Sequence, residues 1–89
     1  MSEASFFKKI RSCEATFGRN ERVGYYIFST RNNLFLGVVV YSIRQLKGGS
    51  SMRAICEEHF PAKTEAEAID NCEKWIREKI SDSITVSCE

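Results

Sequence analysis

The sequence predicts a single α+β domain over residues 1–89, on three observations. The stretch from Glu21 to Arg44 holds two runs rich in Val, Ile, Tyr and Phe, separated by Asn32-Asn33. The stretch from Thr64 to Ile80 carries an apolar stripe at helical spacing behind a capping signature. The chain has 89 residues, is 43% hydrophobic and contains one proline, which suits one modest core and argues against disorder.

The first expected element is a helix over residues 3–15. Phe6, Ile10, Cys13 and Phe17 recur at helical spacing, with Phe7 widening the stripe. Ser2 or Ser5 would cap its start, and Gly18 would end it where a left-handed residue is useful. Two strands follow, at 21–31 and 34–44, because β-branched and aromatic side chains suit a pleated surface. Asparagine tolerates positive φ, so Asn32-Asn33 reads as a two-residue hairpin loop. That loop sets Arg31 opposite Leu34 and carries the register on to Glu21 opposite Arg44, a favourable cross-strand charge pair.

This register divides the hairpin into two faces. One holds Val23, Tyr25, Ile27, Leu34, Leu36, Val38 and Val40; the other holds Tyr26, Phe28, Phe35, Val39, Tyr41 and Ile43. Both are apolar, whereas an antiparallel sheet covered on one side alternates apolar and polar residues. The second face therefore needs a cover, either a helix of the chain or another molecule.

A third, weaker strand is expected over 51–60, with Met52, Ala54 and Cys56 pointing one way and Arg53 and Ile55 the other. Glu57, Glu58 and His59 give it the polar end of an edge strand, and Pro61 closes it. The last helix, 65–80, has Thr64 as N-cap and Glu67 three residues on, a capping box. Glu65 and Glu67 in its first turn and Arg77 and Lys79 in its last complement the helix dipole. Ala68, Ile69, Cys72, Trp75, Ile76 and Ile80 form its buried stripe. The tail Ile84-Thr85-Val86-Ser87-Cys88 alternates with period two and reads as a short additional strand. The expected order is thus α-β-β-β-α around a three-stranded antiparallel sheet, with a short C-terminal strand.

The order helix, three strands, helix is similar to that of the double-stranded-RNA-binding domain over roughly residues 3–80. That resemblance implies a basic cluster at the start of the last helix. The matching segment, Pro61 to Ala68, holds Lys63 alone, with Glu65 and Glu67 repelling phosphate. The resemblance is one of element order, and no binding residue is carried over from it.

Chemistry is sparse. Cys56-Glu57-Glu58-His59 has a C-x-x-H spacing, but residues three apart on a strand point to opposite faces, so no zinc site or Cys–His nucleophile pair is expected there. Gly48-Gly49-Ser50-Ser51 precedes a strand and lacks the lysine of a phosphate loop, so it reads as a hairpin loop. Neither a cofactor nor a metal is expected, and the chain reads as a non-enzyme. Met1 to Ser5 shows no basic region followed by an apolar run, and Leu34 to Tyr41 is too short to span a bilayer, so the expectation is a cytoplasmic protein without a membrane partner. The cysteines at 13, 56, 72 and 88 are then expected as reduced, mostly buried thiols.

Net charge is +1, yet residues 1–50 carry eight basic and three acidic groups, and residues 51–89 carry five basic and nine acidic. Such asymmetry suits a polar interaction face or head-to-tail self-association. The candidate binding residues are the sheet aromatics Tyr26, Phe28, Phe35 and Tyr41 and the basic groups Lys8, Lys9, Arg11, Arg22 and Arg31. As a surface these fit a protein partner or a second copy, with Tyr and Phe as interface residues. The alternative is a nucleic-acid-binding module, with bases stacked on the aromatics and phosphates on the basic N-terminal half.

Overall fold

The computed structural model describes residues 7–89, apart from the side chain of Phe7. It contains a five-stranded antiparallel sheet and one α-helix. The strands are β1 (Phe7–Phe17), β2 (Glu21–Thr30), β3 (Phe35–Ser42), β4 (Ile55–Ala62) and β5 (Thr85–Cys88), and the helix α1 is Glu65–Lys79. A 3-10 turn, Ile43–Gln45, follows β3. Strand order is β4-β3-β2-β1-β5. The first four strands form a meander; α1 then crosses one face and returns the chain beside β1.

The N-terminal segment corrects the expected helix. Residues from Phe7 onward form β1, and the expected cap at Ser2 or Ser5, with Phe6, lies outside the described residues. From Arg11 the segment has a period-two pattern: Cys13 and Ala15 are buried beneath the helix layer, while Ser12, Glu14 and Thr16 point to the other side. An irregularity at Ile10, between the Lys9–Phe28 and Arg11–Ile27 pairs, shifts the parity and produces the apparent helical spacing. Ladders with β2 on one side and β5 on the other outweigh local propensity. The element order is therefore β-β-β-β-α-β, and the likeness to the RNA-binding topology lapses with the first helix.

The hairpin register also differs by one residue. Thr30 N–H donates to Leu34 O at 2.8 Å, so the loop is Arg31-Asn32-Asn33, with Asn33 left-handed at φ 59°. This is the three-residue hairpin that ends on a left-handed residue. Tyr25 then pairs with Val39 and Tyr26 with Val38. Because side chains alternate, the slip exchanges the two faces of β3 relative to β2. Glu21 and Arg44 still meet, as an ion pair at 3.4 Å, with Arg44 reaching from the 3-10 turn.

The core lies between the sheet and α1. Tyr25, Ile27 and Val39 are each 0% exposed, as are Cys72 and Ile76 of the helix. Tyr41 packs against Trp75 with ring centroids 4.8 Å apart and planes tilted by 50°, and Phe60 lies 6.4 Å from the same indole. Tyr25 donates from its hydroxyl to Glu73 at 2.5 Å, which satisfies the one polar group of a fully buried ring. Thr64 caps α1 by accepting from Glu67 N–H at 3.0 Å. The Glu67 carboxylate accepts from Lys63 N–H at 3.4 Å, one residue earlier than a reciprocal capping box requires. Both ends of α1 are tied to the sheet layer. Arg11 meets Glu65 at 2.9 Å, and Lys47 binds the Arg77 carbonyl and the Asp82 carboxylate.

The third strand starts later than expected, at Ile55, and includes Pro61, which pairs opposite Leu36. Proline is tolerated there because β4 is an edge strand. The cysteines need a further correction. The β1–β5 register sets Cys13 directly opposite Cys88, and the two form a disulfide; Cys56 and Cys72 are free thiols. No helix among the described residues is long and apolar enough to cross a membrane.

Candidate protein-binding surface

Alternation along the strands gives the sheet a second face, turned away from α1. On β2 it carries Arg22, Gly24, Tyr26 and Phe28; on β3 it carries Leu36, Val38 and Val40. β4 contributes Ile55, Glu57, His59 and Pro61, and β1 contributes Lys9 beside Phe28. No described helix covers these residues, since α1 packs against the opposite side. Tyr26, Phe28, Leu36 and Val40 are accordingly half-buried rather than buried. They line an open apolar groove of about 550 Å³, floored by Val38 and bounded by Lys9 at one end and Glu57 and His59 at the other.

Local sequence shapes this surface. Gly24 has no side chain on it, and a Cβ there would lie 2.9 Å from the Tyr26 hydroxyl oxygen. The glycine lets the phenol lie along the sheet. Lys9 Nζ stands 5.4 Å from the centre of the same ring, a cation–π contact. His59 Nε2 is 2.9 Å from Glu57 Oε1, so the β4 end of the groove is polar.

The candidate binding residues do not gather in one place. Tyr26, Phe28, Lys9 and Arg22 share the open face, Arg22 at its margin with Glu14 3.8 Å away. Phe35 and Tyr41 lie on the helix side: Tyr41 is 8% exposed against Trp75, and Phe35 packs against the core. Their expected grouping with Tyr26 and Phe28 is therefore corrected, the one-residue register difference being the cause. Arg11 also turns to the helix side, where it binds Glu65, while Lys8 is exposed on β1 and Arg31 lies in the hairpin loop. Leu36, Val38 and Val40 join the open face instead of the face of Tyr25. Glu57 and His59 were legible as an edge but not as part of this surface.

Cys56 and His59 lie on opposite faces of β4, and no group of three potential metal ligands forms among the described residues. Burial pushes the Cys72 thiol up to about 12, with the Glu73 charge adding to it, so that thiol is neutral and enclosed rather than nucleophilic. Part of the basic charge of the first half is paired within the fold. Arg11 pairs with Glu65, Arg22 with Glu14, Arg44 with Glu21 and Lys47 with Asp82. Comparison with protein-family models, with curated proteins and with solved structures gives no match to this chain.

Proposed function

We propose that this chain is a non-enzymatic protein-binding module, of the inhibitor or accessory type, that works through the open face of its sheet. The observation that carries the reading is the apolar strip of Tyr26, Phe28, Leu36, Val38 and Val40 on the side that α1 does not cover. Contiguous exposed apolar surface rimmed by polar groups is the usual mark of an interaction site. The sheet edges are poorer candidates. Where β1 runs past β5 it carries the irregularity at Ile10 together with Lys8 and Lys9, and β4 carries Pro61, Glu57 and His59. Bulges, lysines and prolines are the devices that discourage strand addition.

A nucleic-acid reading is less well supported, because the aromatic strip is flanked by both signs of charge. Stacked bases need a basic track for the backbone alongside the rings. Here Arg22 is matched by Glu14, and Glu57 stands beside the strip.

A photo-crosslinking residue placed at Val40 tests the proposal against the same residue at Lys74, which is exposed on α1. The expected result is a protein adduct from position 40 and none from position 74. No adduct from position 40, or one sensitive to nuclease, overturns the reading. The purified chain should also leave the anisotropy of a labelled single-stranded oligonucleotide unchanged at low salt, where phosphate contacts are strongest.

A further inference from the structure

The open face holds charges of opposite sign at opposite corners. Lys9 lies on β1, level with Phe28 of β2, Leu36 of β3 and Pro61 of β4. Glu57 lies on β4, level with Val40 of β3, Gly24 of β2 and Glu14 of β1. Halfway between them, across the sheet and along it, is the cross-strand pair Tyr26–Val38. The apolar centre of the strip is thus also the midpoint between its two charged corners. Lys9 has no acidic partner among the described residues, and its one described contact is the Tyr26 ring.

A two-fold interface uses the same patch twice and must be complementary to itself. The Lys9–Glu57 diagonal meets that condition; on the other diagonal Glu14 faces its own copy, with Arg22 3.8 Å away as its counter-charge. We infer that the occupant of the open face is a second copy of this chain, packed sheet on sheet about a two-fold axis through the Tyr26–Val38 pair, with each copy's Lys9 on the other's Glu57. The inference rests on the protein-docking reading above.

The ladder geometry fixes how the sheets cross. Three strand spacings separate the corners by ~14 Å across the sheet, and four residues separate them by ~13 Å along it. The line joining them runs at about 45° to the strands. An axis in the interface plane, perpendicular to that line, turns one sheet by about 90° relative to the other, which is the orthogonal class of sheet packing. The four-stranded footprint, ~19 by ~20 Å at the same spacings, is about half the ~800 Å² that each partner commonly contributes to a standard interface. The dimer should therefore be weak and concentration-dependent.

Sedimentation of the full chain from about 1 μM to about 1 mM tests this, over the range where small interfaces dissociate. The wild type should shift from monomer to dimer. Lys9→Glu and Glu57→Lys should each weaken the dimer by about tenfold or more, since like charges then meet twice across the axis. The double variant, Lys9→Glu with Glu57→Lys, should return to within about threefold of wild type, a rescue that a merely structural role would not give. All of these side chains are exposed, so the variants should keep the wild-type unfolding midpoint.

A chain that stays monomeric throughout overturns the inference, as does a dimer that both single variants leave intact or that the double variant fails to restore. The crosslinker at Val40 separates this failure from failure of the docking reading. A monomer whose position 40 crosslinks to a different protein defeats only the second copy; a monomer with no adduct defeats both.

Discussion

At Gly37 the sheet backbone lies close against the helix. A Cβ at this position would lie 2.6 Å from Cys72 Sγ and 2.9 Å from the Ala68 carbonyl oxygen, which belongs to the helix backbone and cannot swing aside. Gly37→Ala should therefore push α1 off the sheet and cost about 1–3 kcal/mol, as overpacking does in tight cores. It would show as a lower urea midpoint at an unchanged m-value, and an unaltered midpoint would mean that the layers are less closely packed. The groups beneath that contact set the response to alkali. Burial raises the Cys72 thiol to about 12, and burial, followed by the hydrogen bond to Glu73, also raises the Tyr25 phenol. Both are held neutral in the fold and ionise more readily when unfolded. Their contribution is therefore fully present below the unfolded thiol range near pH 9 and is lost as pH rises toward 12. One such group gives a slope of at most about 1.4 kcal/mol per pH unit. Urea midpoints measured from pH 8 to pH 11 should fall, and Cys72→Ala should flatten the early part of that fall.

Among the elements, β5 has the least of its own to hold it. It spans four residues, three of them exposed, and only Val86 packs on the core. Its anchors are the ladder to β1, the bond from Glu89 N–H to Ser12 O at 3.0 Å, and the Cys13–Cys88 disulfide. That bridge joins residues separated by 75 positions. A loop of that size removes about 4 kcal/mol of unfolded-chain entropy in the loop-closure account. Cys88→Ser should lower stability by about 2–4 kcal/mol. It should also speed amide exchange in β5 while the amides of α1 keep their order of protection, and equal acceleration in both would mean that the two elements open together. β5 and α1 show what was legible. The helix announced itself locally, through Thr64, Glu67 and the Ala68-Cys72-Ile76 stripe, and its range needed almost no revision. β5 was readable from its alternation, but its partner was not. β1 was misread because a strand is defined by neighbours far away in sequence, and the irregularity at Ile10 makes Ile10, Cys13 and Phe17 look helical. With that strand misplaced, nothing pointed to Cys13 and Cys88 as a pair.

At the scale of the whole molecule, α1 covers one face of a sheet that is apolar on both. The uneven charge of the two chain halves is partly resolved inside the fold, where Arg11 meets Glu65 and Lys47 meets Asp82. The candidate site was half legible. Tyr26 and Phe28 belong to it, but Tyr41 and Phe35 do not, because one extra loop residue at Arg31-Asn32-Asn33 reversed β3 and no local signal in Val38-Val39-Val40 reveals the register. Those three valines offer a direct test of the two-sided reading. Val39 is 0% exposed beneath α1, whereas Val40 is half-buried on the open face. Val39→Thr places a hydroxyl in the core, where an unsatisfied polar group costs about 1–3 kcal/mol. Val40→Thr keeps the β-branched shape on an open surface and should change stability by no more than about 0.5 kcal/mol. Association should respond in the opposite sense, with Val40→Thr weakening self-association and Val39→Thr leaving that of the folded fraction unchanged. Paired urea titrations and sedimentation runs on the two variants measure both quantities. Equal losses of stability at the two positions would mean that the second face is covered from within the chain, and the docking surface would go with it.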